Sequence, residues 1–293
     1  MSRIDAAATA LVVPEPVAAP RRRLKVSLGN PTGAATWPTT LITALVLVFL
    51  LLPTVIVIPV SFGSERYLQF PPKEWSLVWY RAYFDDPEWM SATGLSLLVA
   101  FLATLVATAI ALPATLAFAR GRLPGGGILK GLILAPMILP HIVVAVALYI
   151  TFSKWGLTGT VTGFVAAHAV LALPFLFLTI SAAITKLDPS LEMAAASLGA
   201  SNFSAFRLVT LPLLLPALAG GMAFAFITSL DEAVVSNFLS SSTQKLLMKK
   251  MFEDIDFDVS PVIAAVSTLI VVGSFTLIGL AQLLQLTRRK RTG

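Results

Sequence analysis

"LEMAAASLGASNFSAFRLVTLP", residues 191–212, separates two long apolar runs at 160–184 and 213–237. It is rich in small residues and polar enough to break the hydrophobic pattern around it. Asp188 and Pro189 supply a helix start, an acceptor at the N-cap and a proline at the first helical position. Leu191 to Leu198 are good or tolerable helix formers, which predicts a helix about 15 Å long at about 1.5 Å per residue. Gly199 suits the left-handed turn that ends it. Ser201 or Asn202 then caps a second short helix leading to Pro212. Ala194, Ala195 and Ser197 leave one face nearly flat, which allows close approach by another protein.

The surroundings of this stretch are apolar enough to name the solvent. Of the 293 residues, 57% are hydrophobic and 12% charged, about half the charged share of roughly 25% in an ordinary soluble domain. Six segments have the roughly 20 predominantly apolar residues that a transmembrane helix needs: 41–61, 93–118, 129–152, 160–184, 213–237 and 260–286. Prolines 53, 59, 113, 136, 140 and 174 fall inside them, as membranes tolerate when neighbouring helices satisfy the freed backbone groups. The first apolar run is longer than the roughly 7–15 residues of a signal peptide and lies well inside the chain. It is therefore read as an uncleaved span behind a disordered tail at 1–40. With no cysteine, the chain has no disulfide framework, thiolate metal site or thiol nucleophile.

Six spans put both termini on one side of the membrane. That side carries 14 of the 21 lysines and arginines, and the other side 7. The excess places both termini, and the stretch at 191–212, in the cytoplasm. The formal net charge of +6 then follows from topology and gives no support to nucleic-acid binding. The predicted organisation is a six-span domain at 41–286 with a cytoplasmic loop at 186–212 and a basic tail at 287–293.

Spacing within the loop gives it an identity. Met193-Ala194-Ala195 is followed after three residues by Gly199, and after nine more by Val209-Thr210-Leu211-Pro212. This resembles the signature of the membrane subunits of binding-protein-dependent ABC importers: Glu-Ala-Ala, three residues, Gly, nine residues, then Ile-x-Leu-Pro. Met193 stands where the signature has Glu, Val209 where it has Ile, and Glu192 sits one position early. The stretches "SFGSERYLQFPPKEWSLVWYRAYF", "FITSLDEAVVSNFL" and "SPVIAAVSTLIV" look most like the second permease of spermidine/putrescine-type importers.

The resemblance implies an all-α integral membrane protein of type I importer permease architecture. Glu192, Met193, Ala194, Ala195, Gly199, Val209, Leu211 and Pro212 would form the loop that couples to a pair of ATP-binding cassette subunits. It also implies a second permease forming a heterodimer, an extracytoplasmic substrate-binding protein and a polyamine or related amine as solute. ATP with magnesium would sit on the partner, with no cofactor bound by this chain. The residues agree: a phosphate-binding loop needs Gly-x-x-x-x-Gly-Lys-Ser/Thr, and no Gly-Lys pair occurs in the sequence. The chain is thus expected to be a transport subunit of the bacterial inner membrane and not an enzyme.

Ionisable residues inside spans point to function by default. Asp231 and Glu232 in "TSLDEAVVS" are placed in the outer half of the fifth span, to attract a cationic solute or line its path; the plainer alternative puts them near the outer interface, solvated or paired with loop lysines. His141 follows Pro136 and Pro140 on the third span, as a path residue or as a partner of carbonyls that the prolines free. His168 is read as a packed hydrogen-bonder between helices. Two distant histidines without cysteine do not suggest a metal site. The aromatic residues of the outer loop 62–91 are read as an interfacial belt. The competing class is a transporter driven by an ion gradient, which predicts inverted repeats with broken helices and leaves the loop signature unexplained.

Overall fold

A computed structural model describes residues 37–121, 124–257 and 260–289. The expected tails fall largely outside them, at 1–36 and 290–293. The chain divides into two units, residues 1–51 and 52–293, with the boundary inside the first helix, α1 (Trp37–Val60). In the first unit the described part is a continuous apolar helical run from Trp37 to Leu51.

The second unit is helical throughout its long elements. After the end of α1 come α2 (Val78–Asp85), α3 (Pro87–Ala119), α4 (Gly126–Ile138), α5 (His141–Lys154) and α6 (Val161–Ile184). Two short helices follow, α7 (Ser190–Ser197) and α8 (Asn202–Ala205), then a π-helical turn at Phe206–Thr210. The remainder is α9 (Leu211–Leu230), α10 (Val234–Leu239), α11 (Leu247–Phe257) and α12 (Val262–Arg289). Among the described residues, five helices are long and apolar enough to cross a membrane, and α4 with α5 makes a sixth crossing if the bent pair is one span.

Helices α3, α6 and α9 form the centre of the second unit. Lipid tails are as apolar as leucine, so such helices associate through close packing, which small residues permit. Along α3, Ala103, Ala107 and Ala111 are fully buried at four-residue spacing. They pack in one cluster with Ala172, Leu176 and Ile180 of α6 and Leu214, Leu218 and Ala225 of α9. Thr104 and Thr115 lie on this helix too, and each hydroxyl donates to the carbonyl four residues earlier. No polar group of theirs is left to face hydrocarbon.

The third span departs from the sequence reading. Pro136 is absorbed inside α4, but at Pro140 the helix breaks, and α4 and α5 are bent by 107°. A proline clashes with the carbonyl four residues back and pushes the residue before it into extended backbone. Leu139 obeys, with ψ of 145°. The fifth span also ends early: α9 stops at Leu230, and the run to residue 237 contains a second break before α10. At the chain's end, α12 continues to Arg289, so the first residues of the expected basic tail are helical.

The aromatic residues of the outer loop divide into exposed and buried groups. Tyr67, Phe70 and Trp75 are exposed, whereas Tyr83 and Trp89 are buried against Leu247, Val262 and Val266. Glu88 is drawn into an ion-pair network with Lys245 and Lys250, at 2.8 and 3.2 Å.

Gly221 of α9 marks a close helix approach in the centre. A Cβ there would lie 3.2 Å from Leu176 Cδ2 and 3.4 Å from Thr179. Gly221→Leu is expected to destabilise the detergent-solubilised chain by about 1–3 kcal/mol through overpacking. Gly131→Ala, where a Cβ meets nothing within 4 Å, should leave the unfolding midpoint nearly unchanged. Thermal unfolding of the two variants beside wild type makes the comparison.

Candidate functional site

The two helix breaks meet. Pro140 ends its run of extended backbone at His141, the first residue of α5, and His141 Nδ1 lies 3.1 Å from Glu232 Oε2. Glu232 sits in the gap between α9 and α10. Its other oxygen, Oε1, accepts from the backbone N–H groups of Val234 and Val235, both at 3.0 Å. These are donors of the first turn of α10, which have no partner within the helix. One carboxylate therefore caps a helix and holds the imidazole of another broken span. The glutamate is buried and the histidine half exposed.

Asp231 differs from its neighbour. It ends α9, where its N–H donates to the Ile227 carbonyl, and it is exposed. The two carboxylates sit at the end of α9, Asp231 exposed and Glu232 buried in the gap before α10. Among the described residues, neither pairs with the loop lysines. Those lysines serve elsewhere: Lys245 bonds Glu253 at 2.7 Å and Glu88 at 2.8 Å, and Lys249 bonds Asn237 at 2.8 Å. Hydrogen bonds to Glu253 and Glu88 hold the Lys245 ammonium above its ordinary range. Burial works against the Glu253 carboxylate, yet the Lys245 contact brings it below the usual 4.5.

One residue before the end of α9, at Ser229, His168 of α6 reaches that helix. Its Nδ1 lies 3.0 Å from the Ser229 carbonyl and 2.8 Å from the Ser229 hydroxyl. This is the interhelical hydrogen bond expected of His168.

At the opposite end of the spans, the loop 186–212 folds much as its spacing predicts. Asp188 Oδ1 accepts from Ser190 N–H at 2.9 Å, one residue before the predicted helix start. Gly199 has φ of 87° and closes α7 with backbone bonds from Gly199 and Ala200 to Ala196 and Ala195. Ser201 Oγ accepts from Ser204 N–H and starts α8. Met193 is 63% exposed, while Glu192 turns back and accepts from the Thr210 hydroxyl. Arg120 Nη2, at the end of α3, stands 3.5 Å from both Glu192 oxygens.

A family profile described as the inner membrane component of binding-protein-dependent transport systems matches residues 109–289. The chain belongs to this family. It is 32% identical to the spermidine/putrescine transport system permease protein PotC of Haemophilus influenzae, over 80% of this chain and 91% of that one. Identity to the putrescine permease protein PotI of Escherichia coli K12 is 30%, over 79% of this chain and 84% of the relative. It is also 30% to the molybdate/tungstate permease protein WtpB of Thermococcus kodakarensis, over 66% and 78%. The fold matches a bacterial ABC transporter involved in import of the acidic polysaccharide alginate, with TM-score 0.66, 15% identity and coverage of 85% and 94%. The chain is thus a multi-pass inner-membrane permease subunit of an ATP-driven importer, whose ATPase is a separate partner.

Two features of the site escaped the sequence reading. Proline was expected to be absorbed at both 136 and 140, so the break at His141 was missed, and with it the pairing to Glu232. The Glu192–Thr210 contact crosses 18 residues and had no local signal beyond the displaced acid.

Glu232→Ala removes the cap and the His141 partner together. Loss of a cap costs about 0.5–2 kcal/mol, and that loss should appear as a lowered unfolding midpoint in detergent. Asp231→Ala, at an exposed position, is expected to shift the midpoint by less than about 0.5 kcal/mol.

Proposed function

We propose that this permease stands with both termini and α7 in the cytoplasm and pairs with a second, different permease around the solute path. The tails at 1–40 and 287–293 flank the six-span domain on that side. The α7 segment docks on an ATP-binding cassette subunit through Met193, Ala194, Ala195 and the turn at Gly199. Val209, Leu211 and Pro212 carry the connection into α9. The observation that carries this reading is the exposed α7 helix closed by the Gly199 turn. Closure of the ATPase pair then favours one of two arrangements of the spans, which requires that the two arrangements contact the ATPase differently. A soluble binding protein delivers solute to the face that carries α11.

The solute is a polyamine or a related organic amine. Two polyamine permeases among the relatives support this, as does the acidic pair at the break between α9 and α10. Asp231 presents an exposed carboxylate to an ammonium group, while Glu232 and His141 shape the path beside it. Broken spans also belong to the ion-driven alternative, but family membership assigns the energy source to ATP.

Two measurements test these readings. Co-purification of the tagged chain should retain an ATPase subunit for wild type and lose it for Gly199→Trp, whose bulk and positive φ disrupt the turn. If wild type retains none in gentle detergent, the docking reading fails. Uptake of labelled putrescine by cells carrying Asp231→Asn should fall about tenfold, the factor that corresponds to roughly 1.4 kcal/mol. Unchanged uptake would remove Asp231 from the path.

A further inference from the structure

Glu192 lies one position before the place where the importer signature carries its acid. On a helix that single step turns a side chain by about 100°. The consequence is visible in α7: Met193 faces outward, and the Glu192 carboxylate points to its own spans. There it accepts from the hydroxyl of Thr210, which is buried as the last residue of the π-helical turn feeding α9. On the other side it faces the Arg120 guanidinium, which follows the last residue of α3, at 3.5 Å. Three elements therefore converge on one side chain.

Apolar packing does not do this work. Between α7 and the spans lies a cavity of about 310 Å³, open to the surface and lined by Leu116, Ile184, Leu187, Leu191 and Leu213 besides the polar groups named. Leu191, the α7 residue that faces this space, is itself exposed. A helix standing over a void transmits displacement only through its rigid links. Among the described residues, α7 is tied to the spans by its chain connections, by packing on the π-helical turn and by the Glu192 contacts, and the Arg120 contact reaches the end of α3.

We propose that Glu192 is a positioning residue, a strut that carries movement of α7 into the end of α3 and the root of α9, and not a contact for the ATPase. The proposal rests on the docking reading above, since α7 must be moved by the partner. The charge-assisted contact to Arg120 is partly exposed and adds little to folding. Its role is geometric: a carboxylate bound on two sides resists both approach and separation of α7 from the spans.

The chain has no cysteine, so spin labels can be introduced at chosen sites alone. Asp85→Cys and Lys154→Cys place labels at exposed positions far along the chain from α7. Pulsed electron resonance on the whole transporter, with and without MgATP and vanadate, reads how far the spans respond. Wild type should shift to a second distance. Glu192→Ala should retain the ATPase on co-purification but lower the shifted population at least fivefold. Thr210→Val should do the same, and Thr210→Ser, which keeps the donor, should restore the shift. A Glu192→Ala transporter that shifts as fully as wild type would overturn the strut. So would loss of the ATPase from that variant alone, because Glu192 would then be a docking contact. A wild-type chain that holds no ATPase would instead bring down the docking reading on which the strut depends.

Discussion

Hydrocarbon offers a peptide group no hydrogen bond, and each one left unsatisfied costs several kcal/mol. A span can therefore break only where something replaces the lost partners. Here the α9–α10 break is made tolerable by the buried carboxylate of Glu232, which receives two N–H groups of α10 on one oxygen and His141 on the other. The same contact ties the α4–α5 break to it. Two irregular segments that would be costly apart become a single polar junction, and the short helix α10 can pack Val235 and Leu239 against α5 and α6.

Around that junction the central helices behave as rigid parts. Alanines on α3 bring it close to α6 and α9, and threonine hydroxyls return to their own helix. At 33 residues, α3 is about 50 Å long at about 1.5 Å per residue. Its first turn carries Glu88 in the lysine network with α11, and the residue after its last turn, Arg120, faces Glu192. One helix thus reaches from the surface proposed for the binding protein to the surface proposed for the ATPase.

Polar contacts at the two ends differ in kind. At the α11 end, Lys245 and Lys250 bridge Glu88, Glu253 and Asp254, and Leu247 N–H donates to the buried Ser96 hydroxyl at 2.7 Å. Many links there fix α11 to α3. At the α7 end the Glu192 carboxylate reaches Thr210 and Arg120 beside an open cavity. The densely linked end holds its shape, while the strut proposed for Glu192 passes movement of α7 to the spans.

Local chemistry alone was enough to determine much of this protein. Long apolar runs require helices in lipid, and Asp188, Gly199 and Ser201 act on neighbours within a few residues, so the spans and the α7 turn were legible from the chain. The family followed from the spacing of Met193 to Pro212. What local chemistry did not determine was which proline breaks a helix, because Pro136 and Pro140 are alike in sequence and only packing lets one be absorbed. Nor did it pair His141 with Glu232 or Glu192 with Thr210 and Arg120. Those partners lie 91, 18 and 72 residues apart, and only the tertiary arrangement of helices brings such distant side chains within hydrogen-bond reach.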